Sequence, residues 1–281
     1  MHKICIIGLG LLGGSIGKEC LEKKLSKKVI GFGRNHDSLK KAFQLQLVHE
    51  ISDDFNNIHD ADLVIIATPV KQIELVLKQI KPFLSKSTLI TDVGSTKTNI
   101  INSVKNILGA ESKNFIGSHP IAGSEKNGPE AAQNNLFNKK NIIITPHKLN
   151  TESSIKKIED FWKQLNGNTI IMSPENHDEI FSTVSHLPHA LAISFMSMIN
   201  KKENREELLN FAASGFRDFT RIAASSPEMW RDIFIDNKEA CLKDLKSYIE
   251  QLKEFENALE DETALFDFIH NGSDLRKNWD E

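Results

Sequence analysis

The chain has 281 residues, 40% of them hydrophobic and 26% charged, with a formal net charge of −3 and an isoelectric point near 6.4. That length suits two domains of roughly 100 to 200 residues each, and the charge balance offers no basic face of the kind nucleic acid requires. No apolar run approaches the ~18 residues of a membrane span, the N-terminus has no signal-peptide core, and Cys5, Cys20 and Cys241 read as reduced, packed thiols, so a cytoplasmic protein is expected.

Lys3 to Ile7 is a continuous apolar strand that runs straight into Gly8-Leu9-Gly10-Leu11-Leu12-Gly13, followed by a helix-compatible stretch to Leu25. Strand, glycine turn and helix in that order suit a dinucleotide: Gly8 permits the tight turn, Gly10 lets backbone approach a pyrophosphate, and Gly13 lets helix and strand pack closely, with Leu11 and Leu12 opening the helix. A second strand, Val29 to Phe32, ends where an NAD site usually offers a carboxylate to the adenosine ribose; here stand Gly33 and Arg34. Without that carboxylate a 2′-phosphate is not repelled, and Arg34 could clamp it, so NADP is weakly favoured over NAD; a solvent-facing loop arginine is the plainer alternative.

Asp37 to Leu45 reads as a helix, Ser52 to His59 as a polar connection, and Leu63 to Ala67 as a buried strand ending in Thr68-Pro69. A helix from Gln72 to Ile80 precedes the strand Thr88 to Val93, which closes in Gly94-Ser95-Thr96-Lys97 before a helix through Leu108. Asn141 to Thr145 and Thr169 to Met172 read as further strands flanking a helix from Glu152 to Leu165. Alternation of this kind predicts an α/β, Rossmann-type, doubly wound parallel sheet, with ligands beyond the carboxyl ends of its strands. Thr68-Pro69, Gly94-Ser95 and Gly117-Ser118-His119 converge on that rim, which makes His119 a functional candidate although a His-Pro step is also an ordinary way to leave a strand.

After Met172 only helices are expected, so residues 1–172 read as the dinucleotide-binding domain and 173–281 as an all-α domain. Its helices run over 174–181, 186–199, 206–213, 216–224, 227–234 and from about 237 past 259, with a charged tail from Asn271 expected to fray. Leu242, Leu245, Ile249, Leu252 and Leu259 make a coiled-coil-like seam that either packs inside its own domain or forms a dimer face. His186 and His189 lie three apart, but no third ligand stands near and no metal is expected. Arg217 and Arg221, four apart amid aromatics, suit a carboxylated substrate, since a guanidinium grips a carboxylate through two parallel hydrogen bonds; one of them is expected instead to pair with Asp218 or Asp232.

Taken together, the glycine turn, Asp92 to Lys97, Gly117 to Glu125, Met172 to Asp178, Ser185 to His189, Gly215 to Ala223 and Met229 to Asp232 resemble the prephenate and arogenate dehydrogenases of tyrosine biosynthesis. The resemblance implies oxidative decarboxylation of a cyclohexadienyl acid, with His119 as catalytic histidine and Ser95 beside it. It further implies that Arg221 holds a substrate carboxylate, that His189 and Glu125 line the pocket and its entrance, and that the protein is a homodimer through its helical half. Thr68, Pro69 and Gly94 fall at the expected cofactor rim. A neutral His119 accepts the ring-hydroxyl proton as hydride leaves the same carbon for NAD(P), with Ser95 orienting the imidazole or bonding that hydroxyl. The rivals are a β-hydroxyacid dehydrogenase or pyrroline-carboxylate-type reductase on the same plan, neither of which needs the His-Pro-Ile-Ala-Gly stretch, and a nicotinamide-sensing regulator without turnover.

Overall fold

A computed structural model describes residues 1–123 and 127–279. The first half alternates strands β1 (Lys3–Ile7), β2 (Lys28–Phe32), β3 (Glu50–Ser52), β4 (Leu63–Ile66), β5 (Leu89–Asp92), β6 (Phe115–Pro120), β7 (Asn141–Thr145) and β8 (Asn168–Ile171) with helices α1 (Leu11–Glu22), α2 (His36–Gln44), α3 (Val70–Ile80), α4 (Thr98–Leu108) and α5 (Glu152–Gln164). The eight strands form one sheet in the order β3-β2-β1-β4-β5-β6-β7-β8. Successive residues of β1 feed opposite cores: Ile4 and Ile6 pack with α1 and α5, whereas Cys5 and Ile7 pack with α3 and α4. A strand buried on both faces must be apolar throughout, which is why β1, β4 and β7 carry no alternation.

One pairing departs from the expected parallel sheet: β6 is parallel to β5 through Phe115 and Ile116, then pairs antiparallel with β7 over Gly117–Pro120. The connection between β6 and β7 contains only a short 3-10 turn at Pro129–Ala131 among its described residues, with no crossover helix to return the chain to the starting edge. β7 and β8, joined through α5, are parallel again. β3 is a strand that the sequence reading does not include; it ends at Ser52, where the expected polar connection begins, and its three residues pair in parallel with β2.

The helical half begins with α6 (Pro174–Phe181), capped by the Ser173 hydroxyl. It continues through α7 (Leu187–Asn200), α8 (Arg205–Asn210), α9 (Ser214–Thr220), α10 (Pro227–Asp236), α11 (Lys238–Ala258) and α12 (Glu262–Asn278). The charged tail is therefore helical through Asn278, in a helix started by the Asp261 carboxylate on the Ala264 N–H at 2.8 Å and held to α11 by Phe268 against Phe255. Leu242, Ile249, Leu252 and Leu259 stay exposed within the single chain, as do Phe266, Ile269 and Leu275, while Leu245 is half-buried, so its own domain leaves most of the seam uncovered. Among the described residues no helix is long and apolar enough to cross a membrane. The three thiols are free, and burial pushes those of Cys5 and Cys20 up to about 12.

Candidate active site

Gly8 turns the chain at φ +97°, where a Cβ would also stand 2.6 Å from the Ala67 carbonyl oxygen. Gly13 lies so close to Gly8 that a Cβ there would meet its carbonyl oxygen at 1.9 Å. Gly10 starts α1 with no side-chain cap and no acidic residue in the first turn, leaving the N–H groups of Leu11 and Leu12 at a positive helix end. Beside this turn opens a cleft of about 610 Å³ lined by Gly8, Gly10, Gly33, Arg34, Thr68 and Pro69 among others. The Thr68 hydroxyl is buried there without a hydrogen-bond partner, the condition of a group that waits for a ligand. The turn, the bare helix end and this orphan hydroxyl fit a dinucleotide. Among the described lining residues Arg34 is the only cation and Asp53 the only carboxylate. Gly94 lies outside the lining, at the end of β5, and donates its N–H to Asp92.

At the rim of the same sheet β6 carries His119, partly buried. Its strand is fastened immediately before that residue: Ser118 bonds Thr91 at 2.8 Å and accepts from the Trp162 indole at 3.1 Å, and a Cβ on Gly117 would collide with Thr145 at 2.4 Å. Lys97, fully buried, donates to Asp92 and to the Ser118 carbonyl. Asp92 in turn accepts the Ser118 N–H at 3.2 Å.

His119 Nδ1 lies 2.8 Å from His177 Nε2, and His177 Nδ1 lies 2.8 Å from an Asp178 carboxylate oxygen. Asp178 also accepts the backbone N–H groups of Lys97 and Thr98, both at 2.8 Å, at the start of α4. Burial works against that carboxylate, but the hydrogen bonds from His177 and Thr98 outweigh it and hold its pKa below the ordinary value. An ionised carboxylate only accepts, so His177 Nδ1 carries a hydrogen and donates. The Nε2 of a neutral His177 must then accept, and His119 donates to it from Nδ1. The lone pair of His119 is thereby assigned to Nε2. Burial, then His177, Lys97 and His186, holds the His119 pKa well below the ordinary 6.5, so the imidazole is neutral.

Ser95 follows Gly94 at the end of β5, half-buried. The His119 ring bonds His177 rather than Ser95, whose hydroxyl has no partner among the described residues. His189 stacks on Trp230 at 3.7 Å, and its Nδ1 donates to the Ser185 carbonyl at 2.8 Å. That carbonyl is placed by a π turn over Ser182–His186, where Pro188, lacking an N–H, interrupts the helical ladder. His186 turns instead to Asn237 at 3.2 Å, so the two histidines serve different partners. Arg221 opens a 3-10 turn after α9, exposed; burial lowers the His189 pKa, the hydrogen bond to Ser185 works against that, and the Arg221 charge adds a smaller lowering. Arg217 is exposed on α9. Asp232 pairs with Arg231 at 2.7 Å and Lys71 at 3.6 Å, so neither Arg217 nor Arg221 takes the structural ion pair expected of one of them. Glu125 lies outside the described residues.

His177, Asp178 and Trp230 are the groups that residue-by-residue reading passed over. Their signal is present: Pro174, His177, Asp178 and Phe181 are the buried face of α6, at i, i+3, i+4 and i+7, and a His-Asp pair in such a stripe must find polar partners.

Two family profiles match the chain in succession. The profile described as prephenate dehydrogenase, nucleotide-binding domain, matches residues 16–171, and that described as prephenate dehydrogenase, dimerization domain, matches residues 173–269. The prephenate dehydrogenase of Bacillus subtilis is 36% identical over 97% of this chain and 75% of its own length. The cyclohexadienyl dehydrogenase of Zymomonas mobilis is 34% identical over 91% of this chain and 88% of its own. The crystal structure of prephenate dehydrogenase from A. aeolicus, in complex with hydroxyphenyl propionate and NAD+, superposes with a TM-score of 0.93 at 34% identity, covering 100% of this chain and 99% of that one.

Proposed function

The chain belongs to the prephenate dehydrogenase family, and from that premise we propose that it oxidatively decarboxylates prephenate to 4-hydroxyphenylpyruvate with a nicotinamide cofactor. The observation that carries the reading is His119, held neutral at the sheet rim with its lone pair on Nε2 by the hydrogen bond to His177. An oxidised nicotinamide cofactor, held at the cleft of Gly8, Gly10 and Thr68, would supply the hydride acceptor for the ring carbon that bears the hydroxyl. His119 Nε2 takes the hydroxyl proton in that step, and loss of carbon dioxide restores the aromatic ring. Ser95, its hydroxyl unpaired among the described residues, bonds the same oxygen, and Arg221 grips a substrate carboxylate. We assign nucleotide binding to residues 1–172, and substrate contacts and a homodimer face to residues 173–281, where exposed Leu242, Ile249 and Leu252 await cover. Gly33 and Arg34 at the cleft favour NADP over NAD.

A second reading, arogenate as substrate, is favoured by His189: with Nδ1 committed to Ser185, the Nε2 of its neutral ring is an acceptor, which suits the ammonium of an alanyl side chain. Absorbance at 340 nm with each substrate and each oxidised cofactor tests both. Appearance of 4-hydroxyphenylpyruvate from prephenate supports the first reading, tyrosine from arogenate the second, and no reduced cofactor from either rejects the catalytic reading.

A further inference from the structure

We propose that the base is an imidazole pair: as His119 Nε2 takes the substrate proton, the Nδ1 proton of His119 crosses to His177, and the positive charge comes to rest against Asp178. This rests on the reading of His119 as the base and adds where its charge goes. The balance is simple. The substrate O–H bond breaks as His119 Nε2–H forms, and His119 Nδ1–H breaks as His177 Nε2–H forms. His119 ends as the neutral Nε2–H tautomer and His177 as an imidazolium whose Nδ1–H still meets Asp178. Once product has left, the reverse crossing and release of the Nε2 proton to solvent restore the start.

The electrostatic surroundings of the two rings favour this direction. Among the described residues the charged and titratable groups acting on His119 are His177, Lys97 and His186; each disfavours a cation there, and none of them is a carboxylate. His177 has Lys97 against it but Asp178 and Asp92 in its favour, the former through a direct hydrogen bond. Burial disfavours charge on both rings. His177 is fully buried, and both its nitrogens are committed, one to each partner, so a proton reaching it arrives from His119. The distance of 2.8 Å between the rings is short enough for that transfer without rearrangement. Phe181, 4.5 Å from the His177 ring and 4.9 Å from His119, keeps the pair in contact. His177, with both nitrogens engaged by protein groups, positions His119 and stores the charge.

Nitrogen-15 NMR of the full-length protein with labelled histidine reads the pair directly, with His119→Asn and His177→Gln used for assignment. As pH falls, His177 should become the cation while His119 switches from its Nδ1–H to its Nε2–H tautomer. An imidazolium formed on His119, with His177 still neutral, overturns the proposal. Kinetically, His177→Gln keeps an acceptor for His119 Nδ1 but cannot accept a proton. It should lower kcat by at least about tenfold while KM stays within about twofold. Unchanged kcat, or a loss confined to KM, overturns the pair while leaving His119 as base if His119→Asn is inactive. Full activity in His119→Asn instead rejects the base assignment itself.

Discussion

Lys97 and Asp92 form an ion pair with both side chains at 0% exposure, set against the backbone of Ser118, the residue before His119. Charges so placed rarely add stability over an apolar pair, but removing one partner strands the other in a medium that cannot solvate it, at a cost of about 3 to 5 kcal/mol. Lys97→Met should therefore destabilise the protein by that order in urea unfolding, and adding Asp92→Asn should recover part of the loss. A single mutant as stable as wild type would show that the pair is solvated or already neutral. The pair carries a functional consequence as well, because Lys97 is one of the charges that keep His119 uncharged.

What the sequence discloses follows the range of the interaction involved. Gly8 and Gly13 were legible because their constraint is local: a positive φ and a 1.9 Å approach within one turn. His119 was legible as a rim residue because buried parallel strands announce their ends. The bond from His119 to His177 spans 58 positions, and only the stripe on α6 hinted that His177 needed a partner. The reversal of β7 was hidden because β7 is buried and apolar in either direction, and its direction depends on the absence of a crossover helix between it and β6. The helix at Glu262–Asn278 was obscured by its charged surface, although Phe268 packs on Phe255.

His119→Asn should lower turnover by about 10²- to 10⁴-fold, the usual contribution of a positioned base, with cofactor affinity little changed. The pH dependence has a definite sign. Neutral imidazole is the active form, and because the pKa of His119 is depressed, lowering the pH through 6.5 should leave kcat/KM level, with the decline setting in below that value. Titration of kcat/KM from neutral pH downward checks this; an acid limb centred above 6.5 contradicts the burial of the ring.

Arg221 is expected to be the principal carboxylate clamp: both arginines are exposed, but it is the Arg221 charge that reaches His189. Losing a charge-assisted hydrogen bond costs roughly 1.5 to 3 kcal/mol, so Arg221→Ala should raise KM by at least about tenfold. Steady-state kinetics on both variants, each with native circular dichroism, decide the order. A larger KM defect in Arg217→Ala reverses the assignment.

The cofactor prediction turns on two adjacent residues of the cleft. An NAD site gains selectivity from a carboxylate at the end of β2 that bonds the ribose hydroxyls and repels a 2′-phosphate. Gly33 offers neither, while Arg34, exposed and lining the same cleft, offers a phosphate two parallel donors. Gly33→Asp is sterically admissible: its φ lies outside the left-handed region, and a Cβ would stand 3.3 Å from the flexible end of Leu39. The substitution should move preference toward NAD, and Arg34→Ala should weaken NADP while leaving NAD nearly unchanged. Asp53, the other charged group of the lining, tests the rival arrangement, in which a carboxylate from beyond β3 takes the place of the missing one. Catalytic efficiencies with both cofactors are to be compared in wild type, Gly33→Asp, Arg34→Ala and Asp53→Asn. Strict use of NAD by the wild type, unmoved by Arg34→Ala but impaired by Asp53→Asn, would mean that Arg34 faces solvent and that Asp53 holds the ribose.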